Sequence, residues 1–156
     1  MSKLRITLKI IVYLLSITLS IFSALIGYDA YNLASQGIIV GESSTVQGTE
    51  YVNISVPITI RVPGYFFDLS RINITIVIID EKNHQYARDC ELIPYIPLGG
   101  EKNITIELSL PITVAQQWVN GSITLYSKFI IRFWFSKYNY DFLGFGIAGR
   151  SELQRE

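Results

Sequence analysis

One cysteine, one histidine and no surplus of either charge set the first limits on this 156-residue chain. Cys90 has no partner, so no intrachain disulfide forms, and its plainest reading is a small buried apolar side chain. Zinc needs three or four protein ligands, which His84 and Cys90 do not supply. The two lie on one returning strand, about 20 Å apart if that strand is straight, so a Cys–His dyad is also excluded. Lysine plus arginine number 13 and aspartate plus glutamate number 13, so nothing general draws the chain to nucleic acid. Charged residues make up 17% against 49% hydrophobic, which excludes the disordered class. Asp80, Glu81, Asp89 and Glu91 lack calcium-loop spacing, and no pair of carboxylates stands out for glycoside chemistry. The glycine-broken "LGFGIAG" opens no helix, as a phosphate loop would. The expectation is a non-enzyme with no cofactor and no metal.

What the chain does have begins at its start. Lys3, Arg5 and Lys9 precede an uncharged run from Ile10 to Tyr28, closed by Asp29. Nineteen residues at ~1.5 Å each reach about 28 Å, close to the ~30 Å hydrocarbon thickness of a bilayer. The next basic residue is Arg61, so the positive-inside rule puts residues 1–9 in the cytoplasm and the rest outside. A cleaved signal wants small residues at −3 and −1, but Ala24 has Phe22 and Ala30 has Tyr28 before it. An uncleaved anchor over 10–28, its helix extending to about 35, is therefore expected in the cell membrane. Tyr28 and Tyr31 fall where an outer aromatic belt would sit. Within the span Ser16, Ser20, Ser23 and Gly27 share one face with small-xxx-small spacing, which suits a partner helix. The alternative is that each hydroxyl bonds its own helix's i−4 carbonyl.

Beyond residue 36 the apolar period changes from helical to two. "YVNISVPITIRV" puts Val52, Ile54, Val56, Ile58, Ile60 and Val62 on one side, with Asn53, Ser55, Thr59 and Arg61 on the other. "NITIELSL" alternates likewise, and 25 isoleucines favour strands wherever the pattern alternates. Pro57 donates no ladder hydrogen bond and predicts an edge strand or a bulge. "RINITIVIID" is apolar on its second face too and reads as a central strand. "DEKN" is a solvated turn, "HQYARDCEL" the returning strand, and "IPYIPLGGEK" a loop. "PITVAQQWVNG" has room for a short helical turn. Five to seven strands with turn signals between them indicate an antiparallel β-sandwich, immunoglobulin-like or LEA14-like, over 36–148, with a charged tail at 149–156.

Four N-x-S/T triplets, at Asn53, Asn73, Asn103 and Asn120, exceed the one or so that this composition predicts. They point to a glycosylating compartment and agree with an outward domain. The alternative is that Asn and Thr simply fill wet strand positions. The stretch from Tyr126 to Phe145 carries nine of the 20 aromatics. Strand parity turns Phe129, Ile131, Phe133 and Phe135 inward and Tyr126, Lys128, Ile130, Arg132 and Trp134 outward. The outward set suits a sugar, a protein partner or lipid headgroups, with Tyr126, Arg132 and Trp134 as candidate contacts.

"VPITIRVPGYFFDLSRINITIVIIDEKNHQYARD" followed by "IPLGGEKNITIELSL" resembles the LEA14/WHy-type β-sandwich family. That resemblance implies a seven-stranded sandwich, often membrane-tethered, with binding or stress-protective roles. The expected function is a single-pass, cell-envelope protein whose extracytoplasmic β-sandwich serves structural or protein–protein interaction. The alternatives are an accessory subunit of a larger membrane complex, a sugar-binding module, and a pilin-like filament subunit. Its expected partners are the lipid bilayer and membrane or envelope proteins, including a second copy of itself.

Overall fold

The computed structural model describes residues 2–63 and 66–154, with residues 2–8 given through their backbone alone. Helix α1 runs Ser2–Asn32, and a π-helical turn, Leu33–Gly37, ends it. Strands β1 (Ile38–Val40), β2 (Ser44–Gln47), β3 (Tyr51–Arg61), β4 (Asp68–Asp80), β5 (Gln85–Ile96) and β6 (Glu101–Pro111) follow. Helix α2 (Ile112–Val119), β7 (Leu125–Lys137) and β8 (Tyr140–Glu152) complete the chain. The strands after α1 form an antiparallel β-sandwich, as their period-two patterning predicts.

Two sheets face each other. In one, β3 pairs with β6 along its full length, while β1 and β2 share its other edge. The second has the order β5-β4-β7-β8. Counting β1 and β2 as one interrupted strand gives seven positions, the number the family resemblance implies. Isoleucines fill the interior: Ile58, Ile60, Ile72, Ile74, Ile106 and Ile131 are all buried. Burying each such side chain contributes about 1.5–3 kcal/mol. An apolar cleft of about 410 Å³ remains between the sheets, lined on one side by Ile38 and Val40 and on the other by Phe129 and Ile147.

Several expectations need correcting. Pro57 is not on an edge strand, because β3 is paired on both sides; of the two alternatives the irregular pairing holds, since residues 41–43 stand opposite only Val56 and Pro57. Its missing N–H instead faces the interruption between β1 and β2, where its carbonyl accepts the N–H of Gly41 at 2.9 Å. Cys90 is exposed, not buried: it registers with Thr75 on the outer face of β5, which is an edge strand. Ile93–Ile96 belong to β5 and not to a loop. Ile93 and Ile96 are buried, and Pro94 is tolerated at an edge. The tail boundary also moves, because Arg150, Ser151 and Glu152 register with Lys128, Ser127 and Tyr126.

The last aromatic stretch forms a hairpin, β7–β8. Its two-residue turn, Tyr138–Asn139, has positive φ at both positions, 51° and 64°, the mirror-image turn that matches strand twist. The glycines of β8 are not breaks. A Cβ at Gly149 would lie 2.2 Å from the Phe129 ring, and one at Gly144 would lie 3.1 Å from Trp134. Both rings lie across β8 because those positions carry no side chain.

Helix α1 together with its π-helical turn is long and apolar enough to cross a membrane over Lys9–Gly37. Its end is part of the fold. Ile26 and Leu33 are buried in the sandwich core, and Phe22 meets the rings of Phe67 and Phe142 at 5.8 and 5.5 Å. Asp29, the first charge after the apolar run, is 7% exposed, and its Oδ2 accepts the N–H groups of Phe66 and Phe67, both at 3.1 Å. Such charge-assisted bonds are roughly twice as strong as neutral ones, and these two tie the helix to the segment entering β4.

Candidate functional site

The outward face of the β5-β4-β7-β8 sheet is where the sequence-nominated contacts come together. Strand register fixes its rows. Arg88, Val77, Lys128 and Arg150 lie side by side across the four strands. Four residues nearer the β7–β8 turn, Leu92, Asn73, Arg132 and Gly146 form a parallel row. Trp134 follows opposite Gly144, with its ring flat over that glycine. Thr75, Val77 and Ile79 lie on this outer face yet are less than a tenth exposed, because long side chains from both neighbouring strands close over them.

The result is a groove of about 780 Å³ with an apolar floor and cationic walls. Arg71, Arg88, Lys128 and Arg132 line it, and among the described residues no carboxylate does. Arg71 is held by Asp141 at 2.9 Å from outside the lining. Among the described residues, Arg88, Lys128 and Arg132 have no carboxylate within ion-pair distance. Lys128 and Arg150 are direct cross-strand neighbours of like charge, which disfavours the empty face. Arg150 turns aside and lays its guanidinium 3.9 Å from the centre of the Tyr126 ring, a cation–π contact. This arrangement can hold an anion: clustered cations, a hydrophobic floor and one aromatic platform 40% exposed at Trp134.

The predicted contacts therefore divide. Arg132 and Trp134 line the groove, whereas Tyr126 lies at its end, engaged by Arg150. Arg71 and Arg88 were missed. Hairpin register gives a route to Arg88, since pairing about the Asp80–His84 turn sets it opposite Val77. Arg71 had no such signal, because it occupies a bulge with φ 49°, where pairing to β7 shifts register.

The four sequon asparagines sit in three settings. Asn53 and Asn103 are exposed on the outer face of the first sheet, and their carbonyls accept from Ser109 and Thr59. Asn120 caps the end of α2 and is exposed. Asn73 lies half-buried in the groove itself, with its carbonyl taken by Thr75. On α1, Ser16 and Ser20 give their hydroxyls to the carbonyls of Val12 and Ser16, while a Cβ at Gly27 would meet nothing within 4 Å. Ser16, Ser20, Ser23 and Gly27 thus form an exposed face outside the sandwich contact.

No family model matches this chain, and no curated protein matches it. Among solved structures it is similar to a protein from Archaeoglobus fulgidus, at 12% identity and a TM-score of 0.44, over 78% of this chain and 97% of that one. It is also similar to a protein described as late embryogenesis abundant (LEA), at 12% identity and a TM-score of 0.36, over 90% and 88% of the two chains. A third similarity is to a glycosyl hydrolase family 2 member from Bacteroides cellulosilyticus, at 15% identity and a TM-score of 0.41. It covers 72% of this chain and 14% of that much longer one. No activity passes from any of them to this chain.

Proposed function

We propose that this chain is a single-pass cell-envelope protein whose β-sandwich, held outside the membrane, serves structural or protein–protein interaction and catalyses nothing. The observation that carries it is the junction between helix and sandwich. α1 passes from an uncharged segment straight into the sandwich core through Ile26, Asp29 and Leu33, so anchor and domain are one piece. A mount of this kind fixes which faces of the domain are presented, which an interaction module requires. The basic residues before the apolar run support a cytoplasmic N-terminus. The seven strand positions and the Pro97–Gly100 turn support the LEA14/WHy-type resemblance. The open small-residue face of α1 supports assembly with a second membrane helix, from another copy or from a larger complex.

Protease added to intact cells, followed by purification in mild detergent and mass spectrometry, tests this. The expected result is loss of the portion after Asp29, co-purification of stoichiometric partners or of a homo-oligomer, and glycan mass on Asn53, Asn103 or Asn120. A domain degraded only after lysis overturns the topology.

A second reading, sugar binding, is favoured by one observation: three cations without an ion-pair partner, and a fourth held by Asp141, line a groove that ends at Trp134 and has no carboxylate in its lining among the described residues. That chemistry suits an acidic polysaccharide, whose carboxylates or sulfates meet the arginines while a ring stacks on the indole.

A further inference from the structure

The apolar run of α1 extends to Tyr28, yet the sandwich packs on the helix as far back as Phe22. Those six residues of helix correspond to about 9 Å. If the whole run from Ile10 to Tyr28 lies at membrane depth, the end of the sandwich that touches Phe22 lies there as well. The composition of that end fits. It is formed by the segment entering β4, the β5–β6 turn and the β7–β8 turn, and it exposes Phe66, Leu98, Tyr138 and Tyr140, the last two by 83% and 78%. Tyr28 and Tyr31, at the end of the apolar run of the helix, are exposed as well. Each of the carboxylates here is engaged through at least one oxygen, with Asp29 Oδ1 buried and unpartnered. Asp29 takes the N–H groups of Phe66 and Phe67, Asp68 takes that of Leu98, Glu101 pairs with Arg61, and Asp141 holds Arg71 and Ser70. Lys137 folds back to the Phe66 carbonyl at 2.8 Å, with its stem along the apolar surface. The opposite end carries Glu50 at one turn and Glu81, Lys82 and Asn83 at another, and there Val46, Tyr51 and Val119 are exposed singly on separate elements.

We infer that this aromatic end of the sandwich inserts into the headgroup–acyl boundary of the outer leaflet, as a second membrane contact beside α1. Interfacial elements bury their apolar side about 5–10 Å at that boundary, which matches the depth set by Phe22. Tyrosine rings with wet hydroxyls and apolar bodies are the side chains that reside there. The sandwich is then held at fixed height and tilt by two attachments, with its β2–β3 and β4–β5 turns outermost. This inference rests on the reading that α1 spans the bilayer.

The test uses the full chain carrying Cys90→Ser, with one cysteine introduced at Tyr140, Leu98, Leu15 or Gln47 and labelled with bimane. Each labelled protein is reconstituted into phosphatidylcholine vesicles brominated either near the glycerol or near the chain ends. Probes at 140 and 98 are expected to lose at least about half of their emission with shallow bromines. The probe at 15 is expected to be quenched most by deep bromines, and the probe at 47 by neither. If 15 is quenched while 140 and 98 behave like 47, the inference is overturned and the anchor stands. If 15 is not quenched, the anchor reading falls and the inference with it. Equal quenching at 47 and 140 also overturns it, since proximity and not insertion would be measured. Leu98 serves as the second position should Tyr140→Cys fail to fold.

Discussion

Asp80 reads in sequence as part of a solvated "DEKN" turn, but it organises the β4–β5 hairpin. Its Oδ1 accepts the N–H groups of Lys82 at 2.8 Å and His84 at 2.9 Å, and its Oδ2 meets the His84 ring and the Tyr86 hydroxyl. Burial works to raise its pKa. The N–H of His84, the His84 ring, the Tyr86 hydroxyl and the N–H of Lys82 outweigh it and hold the carboxyl below its ordinary 3.8. A folded pKa below the unfolded one means that the stabilisation is complete above 3.8 and is lost as pH falls through the lower, folded value. Denaturant midpoints measured between about pH 5 and pH 3 should therefore fall more steeply for the wild type than for Asp80→Asn. Parallel pH curves would show that the turn does not depend on this carboxylate. What was legible here was the turn itself, from its polar residues. What was not legible was that the turn's four acceptor contacts converge on one side chain, because Asp80 and Tyr86 meet only across a formed hairpin.

At the scale of elements, strand parity was the most informative signal. It assigned the inward and outward sides of β3, β6 and β7 correctly, since alternation is a property of the extended backbone itself. It could not say which strands lie beside one another. The cationic groove arises from that adjacency: Arg88, Lys128 and Arg132 belong to strands separated by Val77 and Asn73 on β4. If the face takes an acidic polysaccharide, the full-length protein in detergent should bind one bearing uronate or sulfate groups and not a neutral one. Affinity should fall as salt rises, because exposed charges are screened over ~10 Å at 0.1 M. Trp134→Ala and Arg132→Ala should each weaken binding about 5–30-fold, the equivalent of ~1–2 kcal/mol, with folding unchanged. Equal retention of neutral and acidic chains, or no effect of either substitution, removes this reading. The ambiguity at Pro57 between an edge and irregular pairing has the same origin. A residue without an N–H predicts a gap in pairing, but only the sheet order shows that the gap lies in the neighbouring strand.

At the scale of the whole molecule, the distinctive feature is that the membrane-competent helix finishes inside the domain it precedes. Leu33 lies outside every strand yet is 2% exposed, in the same cluster as Val62 and Phe67. Leu33→Ala should cost about 2–5 kcal/mol of sandwich stability, the range for deleting a buried leucine. Tyr31→Ala, two residues earlier and 70% exposed, should change it by no more than about 0.5 kcal/mol. Denaturation of the full chain in one detergent compares the two. Equal effects would show that helix and sandwich are joined by connectivity alone.

By itself the sequence determined the apolar helix with its flanking charges, the β class, the inward and outward faces of the regular strands, and the positions of most turns. Each depends on residues within a few positions of one another, through helical rise, strand parity or turn chemistry. Only the tertiary structure decided that Asp29 is buried against Phe66 and Phe67, that Cys90 is exposed on an edge, and that the cations of three strands share one groove. These depend on which strands become neighbours and how far the helix reaches into the sandwich. Contacts between residues 37 or 71 positions apart are set by the order and register of the sheets, which local patterning does not encode.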